Sequence, residues 1–385
     1  MTAESQFGAA HLGVPVSPGD ARSRSMGGVS AAIGGEDFSQ TNPARTVNFW
    51  RAGFSGSMAQ DYRTLKDDTG EYNLRSTGFL GFRGIFPSYD KFVVSWGIYQ
   101  WRDMSWKYSD TLQVAGLPNQ IGRSVSSSGG IYVSRFTIAR PLGSHFALGF
   151  GLDWMIGRTT FRHRLEFNDF NYVNSSESFR DEYSFIRPSF GFFGSFSGTN
   201  LGFSLVPPHS AEVKRVLIYR EGSVFNQQVV QDRYELDYPL VWRLGASRNF
   251  SNRFVLAADV EYEGWKGGNL QLTSPISADN QWRWCLGFEM LPDRSEGRPW
   301  YRSLPLRAGY SYVAYPYKAA GAAVTEKTFS LGTGSYFGAN NGLIDFAVEI
   351  VRRRADAPGY PEENVFRVVT SLSAFEKWVK RPRRE

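Results

Sequence analysis

From Thr46 onward the chain alternates apolar and polar residues with a period of two. Across 344–350, Ile344, Phe346, Val348 and Ile350 share one face, and Asp345, Ala347 and Glu349 the other. Across 281–290, Trp282, Trp284, Leu286, Phe288 and Met290 oppose Arg283, Cys285, Gly287 and Glu289. Phe254, Leu256, Ala258, Val260 and Tyr262 oppose Val255, Ala257, Asp259 and Glu261. Successive side chains of a strand point to opposite faces, whereas a helix would mix these sets. Fourteen such segments can be drawn, with cores near 46–63, 72–86, 91–107, 124–140, 145–165, 182–197, 200–212, 232–249, 253–266, 280–291, 304–315, 327–338, 342–354 and 364–378.

Short turn-like connectors (86–91, 141–145, 198–200, 249–252, 293–303, 338–342) alternate with longer polar ones (64–73, 110–124, 166–181, 212–232, 267–280, 316–327, 355–364). Strict alternation of short and long connectors is what an up-and-down membrane barrel with short periplasmic turns and long outer loops produces. A soluble propeller would repeat in groups of four strands, and the sequence has no such repeat. The expected class is all-β: a transmembrane antiparallel up-and-down β-barrel of about fourteen strands. The even count puts both ends on the periplasmic side.

Composition sharpens this. The 385 residues contain no uncharged apolar run of eighteen, and the mean hydropathy is −0.35. A spanning helix is excluded, so membrane passage must be by strands. Aromatics reach 16%, with 40 Gly, as interfacial girdles and curved strands require. The net charge of +6 is spread out apart from a basic tail, so no nucleic-acid footprint is expected. The lone Cys285 has no disulfide partner, and the four histidines lack metal-ligand spacing. No metal and no cofactor is expected. The start, Met1-Thr2-Ala3-Glu4-Ser5, carries no export signal; the expectation is that the signal was removed or the start misassigned.

The first 45 residues differ: they are rich in Gly, Ala and Ser and lack Trp and Tyr. One short helix is expected near 23–35, ending at a glycine pair. The expected division is a plug or hatch over 1–45, a barrel over 46–378 and a basic periplasmic tail over 379–385. Prolines 188, 207, 208 and 239 fall inside strands, where each marks a bulge, a kink or a local opening. Pro207 and Pro208 together are the expected wall kink.

The run Ala21-Arg22-Ser23-Arg24-Ser25-Met26-Gly27-Gly28-Val29-Ser30-Ala31-Ala32, then Asn42-Pro43-Ala44 and the first strand, resembles the long-chain fatty-acid transporter family of outer-membrane proteins. The closing segment 366–378 is similar as well. The resemblance implies a fourteen-stranded, porin-like barrel of a Gram-negative-type envelope, with an N-terminal hatch. It implies uptake of hydrophobic, fatty-acid-like molecules through hatch movement and a lateral wall opening. The same superfamily includes barrels that serve secretion machinery, so a docking or structural barrel subunit of a larger envelope assembly is the alternative.

The candidate gate is Met26, Gly27, Gly28, Asn42, Pro43 and Ala44. Asn42 can cap a turn through its side chain, and Pro43 fixes the chain direction. For a carboxylate head group the candidates are Arg243, Arg283 and Arg307, because guanidinium groups grip carboxylates in two-pronged fashion. Their alternative role is an ion-pair ladder with Asp259, Glu261, Glu289, Asp345 and Glu349. Leu217 and Tyr219 are candidates for an apolar capture surface in an outer loop. No nucleophile motif accompanies His145 or His163, and His209 and Ser210 would point to opposite faces; no enzyme is expected. The expected partners are membrane lipids, a hydrophobic small-molecule ligand and an envelope protein, in the cell outer membrane.

Overall fold

The computed structural model describes residues 5, 7–8, 12–39, 41–67, 70–88, 92–113, 120–167, 171–221, 226–251, 253–270, 277–293, 299–319, 321–338, 340–357 and 360–376. The basic tail expected at 379–385 lies outside them.

Fourteen antiparallel strands close on themselves. They are β1 (Ala52–Asp67), β2 (Gly70–Ser88), β3 (Phe92–Asp103 continued by Trp106–Leu112), β4 (Ile121–Leu142), β5 (Phe146–Phe167), β6 (Ser175–Phe196) and β7 (Thr199–Val206 continued by His209–Glu221). They continue as β8 (Asn226–Tyr238 continued by Val241–Phe250), β9 (Phe254–Glu263), β10 (Gln281–Met290), β11 (Leu306–Ala319), β12 (Ala322–Phe337), β13 (Gly342–Ala355) and β14 (Glu362–Glu376). Closure is made by β14 on β1, from Glu362↔Lys66 to Glu376↔Ala52. A closed barrel satisfies its backbone within the wall, which is what lipid demands of a spanning sheet.

The alternation has the membrane sense. Phe150, Trp154, Leu286, Phe346 and Ile350 face outward and are 40–60% exposed, while Asp345, Ala347 and Glu349 are buried in the lumen. A tilted strand crosses a bilayer in about 9–11 residues. With 10 residues each, β9 and β10 do little more than cross. At 22 residues each, β4, β5 and β6 stand about twice as tall, so the outer rim is high on one side.

This height corrects the expected connector lengths. The stretches 166–181 and 212–232 were expected to be outer loops, but β5 to β8 run through most of both. Leu217 and Tyr219 therefore lie on β7, with Leu217 opposite Phe179 and Val230, and not in a loop. Hydrogen-bonded pairing continues above the lipid because each strand finds a partner there, whatever its polarity.

The N-terminal chain threads the lumen. A five-residue helix, α1 (Ala21–Ser25), is capped by Asp20, whose Oδ1 accepts from the Ser23 amide at 2.9 Å. It stops just before Gly27 and Gly28, whose φ values of 72° and 86° turn the chain back. A 3-10 turn over Pro43–Asn48 leads to the first wall strand at Ala52. Higher up, Phe7, Leu12 and Val14 pack with Trp265, Tyr315 and Tyr317. The core of this protein is the filling of its lumen.

Candidate functional site

The hatch lies flat on the wall. A Cβ added at Gly149, Gly191, Gly202, Gly309 or Gly332 would overlap Ala44, Asn42, Ala31, Gly27 or Ser25 respectively. These glycines sit on five strands, so the hatch presses directly on wall backbone that carries no side chain around much of the circumference. Wall groups satisfy the hatch amides: the Asp259 Oδ2 accepts from Ser30 N at 2.6 Å and Ala31 N at 2.8 Å. Ser330 Oγ accepts from Gly27 N and donates to Ser25 O.

Charge fastens it further. Arg22 grips Glu289 with Nε at 3.2 Å and Nη2 at 2.7 Å. Arg24 grips Glu349 with Nε at 2.9 Å and Nη2 at 2.7 Å. Two-pronged Arg–carboxylate pairs carry direction as well as attraction. Neither arginine was singled out in the sequence. Their one signal was two charges inside a small-residue segment.

The proposed gate residues lie in two groups, Met26, Gly27 and Gly28 against β10 and β11, and Asn42, Pro43 and Ala44 against β5 and β6. Asn42 Nδ2 donates to Ala31 O at 3.0 Å and to Phe192 O of the wall at 2.9 Å, while its Oδ1 accepts from Ala44 N at 3.0 Å. Pro43 opens the 3-10 turn. Ala44 packs on Ala147 and Phe193. Met26 is buried with Val29, Ile33, Ala257 and Cys285.

The three candidate arginines separate. Arg307 bonds Glu289 at 2.8 Å and Asp345 at 2.6 Å. Arg243 pairs with Glu261 and donates to Ser30 Oγ at 3.3 Å. Arg283 makes no ion pair or hydrogen bond among the described residues, and its Nε is buried without a partner. Leu217 and Tyr219 stand apart from all three, on the tall rim of β7.

Among the described residues the wall itself parts in two places. Between β2 and β3 the ladder ends at Gly81↔Tyr99, and 73–80 and 100–112 do not pair across that seam. Val14–Pro15 of the hatch pairs instead with Asp103 and Arg102 on the freed edge of β3. Behind it lies a cavity of ≈ 190 Å³ lined by Val14, Val16, Phe79, Leu80 and Tyr132 together with Asp61 and Arg63.

Between β6 and β7 pairing runs up to Phe190↔Leu205 and resumes at Glu182↔Lys214, so 183–189 and 206–213 are unpaired. Pro188, Pro207 and Pro208 fall in this lapse. Proline has no N–H to give a ladder. On the other side β7 stays in register with β8, skipping Pro207-Pro208 against Pro239-Leu240. Phe185 fills the lapse, stacked on His209 at 5.2 Å and against Tyr238 at 4.3 Å.

Several solved structures share this architecture. A Pseudomonas aeruginosa FadL homologue matches at 14% identity with a TM-score of 0.66, over 96% of this chain and 100% of that one. The P. putida toluene transporter TodX matches at 15% identity and 0.65, over 94% and 100%. The Ralstonia pickettii toluene transporter TbuX matches at 14% and 0.64, over 93% and 99%. These likenesses establish the fold, an outer-membrane β-barrel with an N-terminal hatch, and the resemblance read from 21–32 and 42–44 holds at that level. No curated protein matches the chain. The model of one family, BamG, covers residues 3–384, almost the whole length, and the chain belongs to the BamG family.

Proposed function

We propose that this outer-membrane barrel passes hydrophobic small molecules sideways, through the parting between β2 and β3. One observation carries the reading: the ladder stops at Gly81↔Tyr99, and among the described residues the exposed edge of β3 is covered by the N-terminal chain, with Val14–Pro15 paired to Asp103 and Arg102 and single amide bonds from Val16 and Ser5. A molecule entering from the outer side meets Val14, Val16, Phe79, Leu80 and Tyr132 in the cavity behind that segment. Channels of the same fold that carry toluene and monoaromatic hydrocarbons support the choice of substrate class. In this reading the moving part of the hatch is the stretch around Val14–Pro15. The part from Asp20 to Ala44 stays fixed, because its withdrawal would break two buried two-pronged ion pairs and a row of backbone contacts.

A disulfide across the parting tests this, with Leu80→Cys and Gln100→Cys in one chain. Uptake of a hydrophobic tracer by cells should fall to the level of cells lacking the protein, and reductant should restore it. Unchanged uptake in the oxidised form sinks the reading. A control lock, Gly28→Cys against the native Cys285, places the new Cβ 3.8 Å from Sγ and should leave uptake unchanged.

The seating of the hatch favours a second reading: a permanently stoppered barrel that serves as a docking subunit of a larger envelope assembly. There both disulfides would leave growth and envelope integrity intact. Deletion of the whole chain would damage the envelope without altering tracer uptake.

A further inference from the structure

We propose that the lumen holds a binding site for a small oxyanion, gripped by Arg187 of β6 and Arg283 of β10. This goes beyond the uptake reading and does not depend on it. The two arginines line one small cavity of ≈ 60 Å³ between the hatch and the wall, with Tyr99, Trp101 and Gln281 beside them. Both are more than nine-tenths buried.

The acids of this cavity are already engaged. Glu261 pairs with Arg243. Glu263 pairs with Arg102 and also accepts from Trp265 Nε1 at 2.7 Å. Arg135, on the same cavity, holds Asp153 with two bonds of 2.6 Å. Arg187 and Arg283 are left without an ion pair or hydrogen bond among the described residues. Arg187 has the face of Trp101 5.5 Å away at the ring centroid and stands opposite Asp153 on β5, whose carboxylate Arg135 already holds. The buried atoms without a partner are Arg187 Nε and Nη1, Arg283 Nε and Gln281 Nε2, all N–H donors on the lining of one void.

A cation taken out of water without a counter-charge is strongly unfavourable, and two that share a void repel each other as well. Flat guanidinium forks match the paired oxygens of a phosphate, sulfate or carboxylate better than a halide. Arg187 also lies in the stretch of β6 that has no ladder partner on β7, so its backbone is held from one side only. An oxyanion bridging β6 to β10 would brace the wall where pairing lapses.

The test uses the full chain in a neutral detergent with chloride as the only other anion. Thermal unfolding is followed against inorganic phosphate at constant ionic strength. The expected result is a saturable rise in Tm with phosphate, absent from Arg187→Gln and from Arg283→Gln. A parallel titration with dodecanoate separates a free anion from the carboxylate head of an amphiphile. A rise with phosphate assigns the site to free oxyanion, and a rise with dodecanoate alone assigns it to an amphiphile head. No specific rise with either overturns the site, as does an equal rise in the double variant. Should the variants fail to fold, crystals of the unaltered chain soaked in selenate decide: anomalous density between Arg187 and Arg283 is expected, and its absence overturns the proposal.

Discussion

Arg243, Arg283 and Arg307 are one residue type on one face of neighbouring strands, yet they have three different fates. Arg307 bridges two carboxylates, and removing one partner of a buried pair leaves the other uncompensated. Arg307→Leu should therefore destabilise the barrel by ~3–5 kcal/mol. In buffer free of oxyanions Arg283→Leu should be neutral or stabilising, since it removes a buried cation that makes no ion pair or hydrogen bond among the described residues. Urea unfolding of the two variants in matched detergent checks the contrast. Asp20 gives a pH effect. Burial and then the neighbouring Asp37 push its carboxyl up to about 6, above the ordinary 3.8. The folded form thus holds the proton more tightly than the unfolded one. Its contribution is complete below pH 3.8 and is lost as pH rises toward 6. Asp20→Asn should flatten the fall in Tm over that window relative to the unaltered chain, measured from pH 3.5 to 7. An equal slope in both would show that Asp20 is not responsible. The sequence revealed the inward face of these charges, because alternation is local. It did not reveal which would pair.

At the scale of elements, the strands were legible in number and nearly in position, and the partings only in part. In the sequence Pro207 and Pro208 point to a kink because a residue without N–H cannot serve a ladder, and both lie where β7 leaves β6. The lapse they sit in is wider than the prolines, taking in 183–189 of β6. Amides in 206–213 should exchange with deuterium faster than those in 199–205, which pair on both sides. Equal protection in the two peptides would mean that the lapse closes in solution. The parting of β2 from β3 had no comparable mark. It depends on Val14–Pro15 reaching the edge of β3, a contact between segments almost ninety residues apart. Strand ends were misplaced for a related reason. Polar residues at 212–221 look like loop in isolation, but pairing with β6 and β8 makes them strand.

The whole molecule is an inverted globule, with its apolar face outward to lipid and its charges inside around a threaded hatch. Phe150 stands mid-belt on β5, so Phe150→Arg should cost ~2–4 kcal/mol of insertion. It should shift protein from the heat-modifiable, folded outer-membrane fraction to an unfolded pool; unchanged partition would contradict the membrane sense of the wall. The sequence by itself determined the class: period-two alternation, the count of alternating connectors and the absence of an apolar helix admit little besides a closed membrane barrel. It also puts the expected end of the hatch near Asn42-Pro43-Ala44, ahead of the first wall strand at Ala52. Only the tertiary structure decided that the hatch rests on wall glycines, that Arg22 and Arg24 fasten it, that Arg187 and Arg283 go unpaired, and where the wall parts. The physical reason is distance along the chain. Alternation is written within ten residues, whereas Arg24 meets Glu349 across 325, and such pairings are fixed by register and closure, which no local pattern encodes.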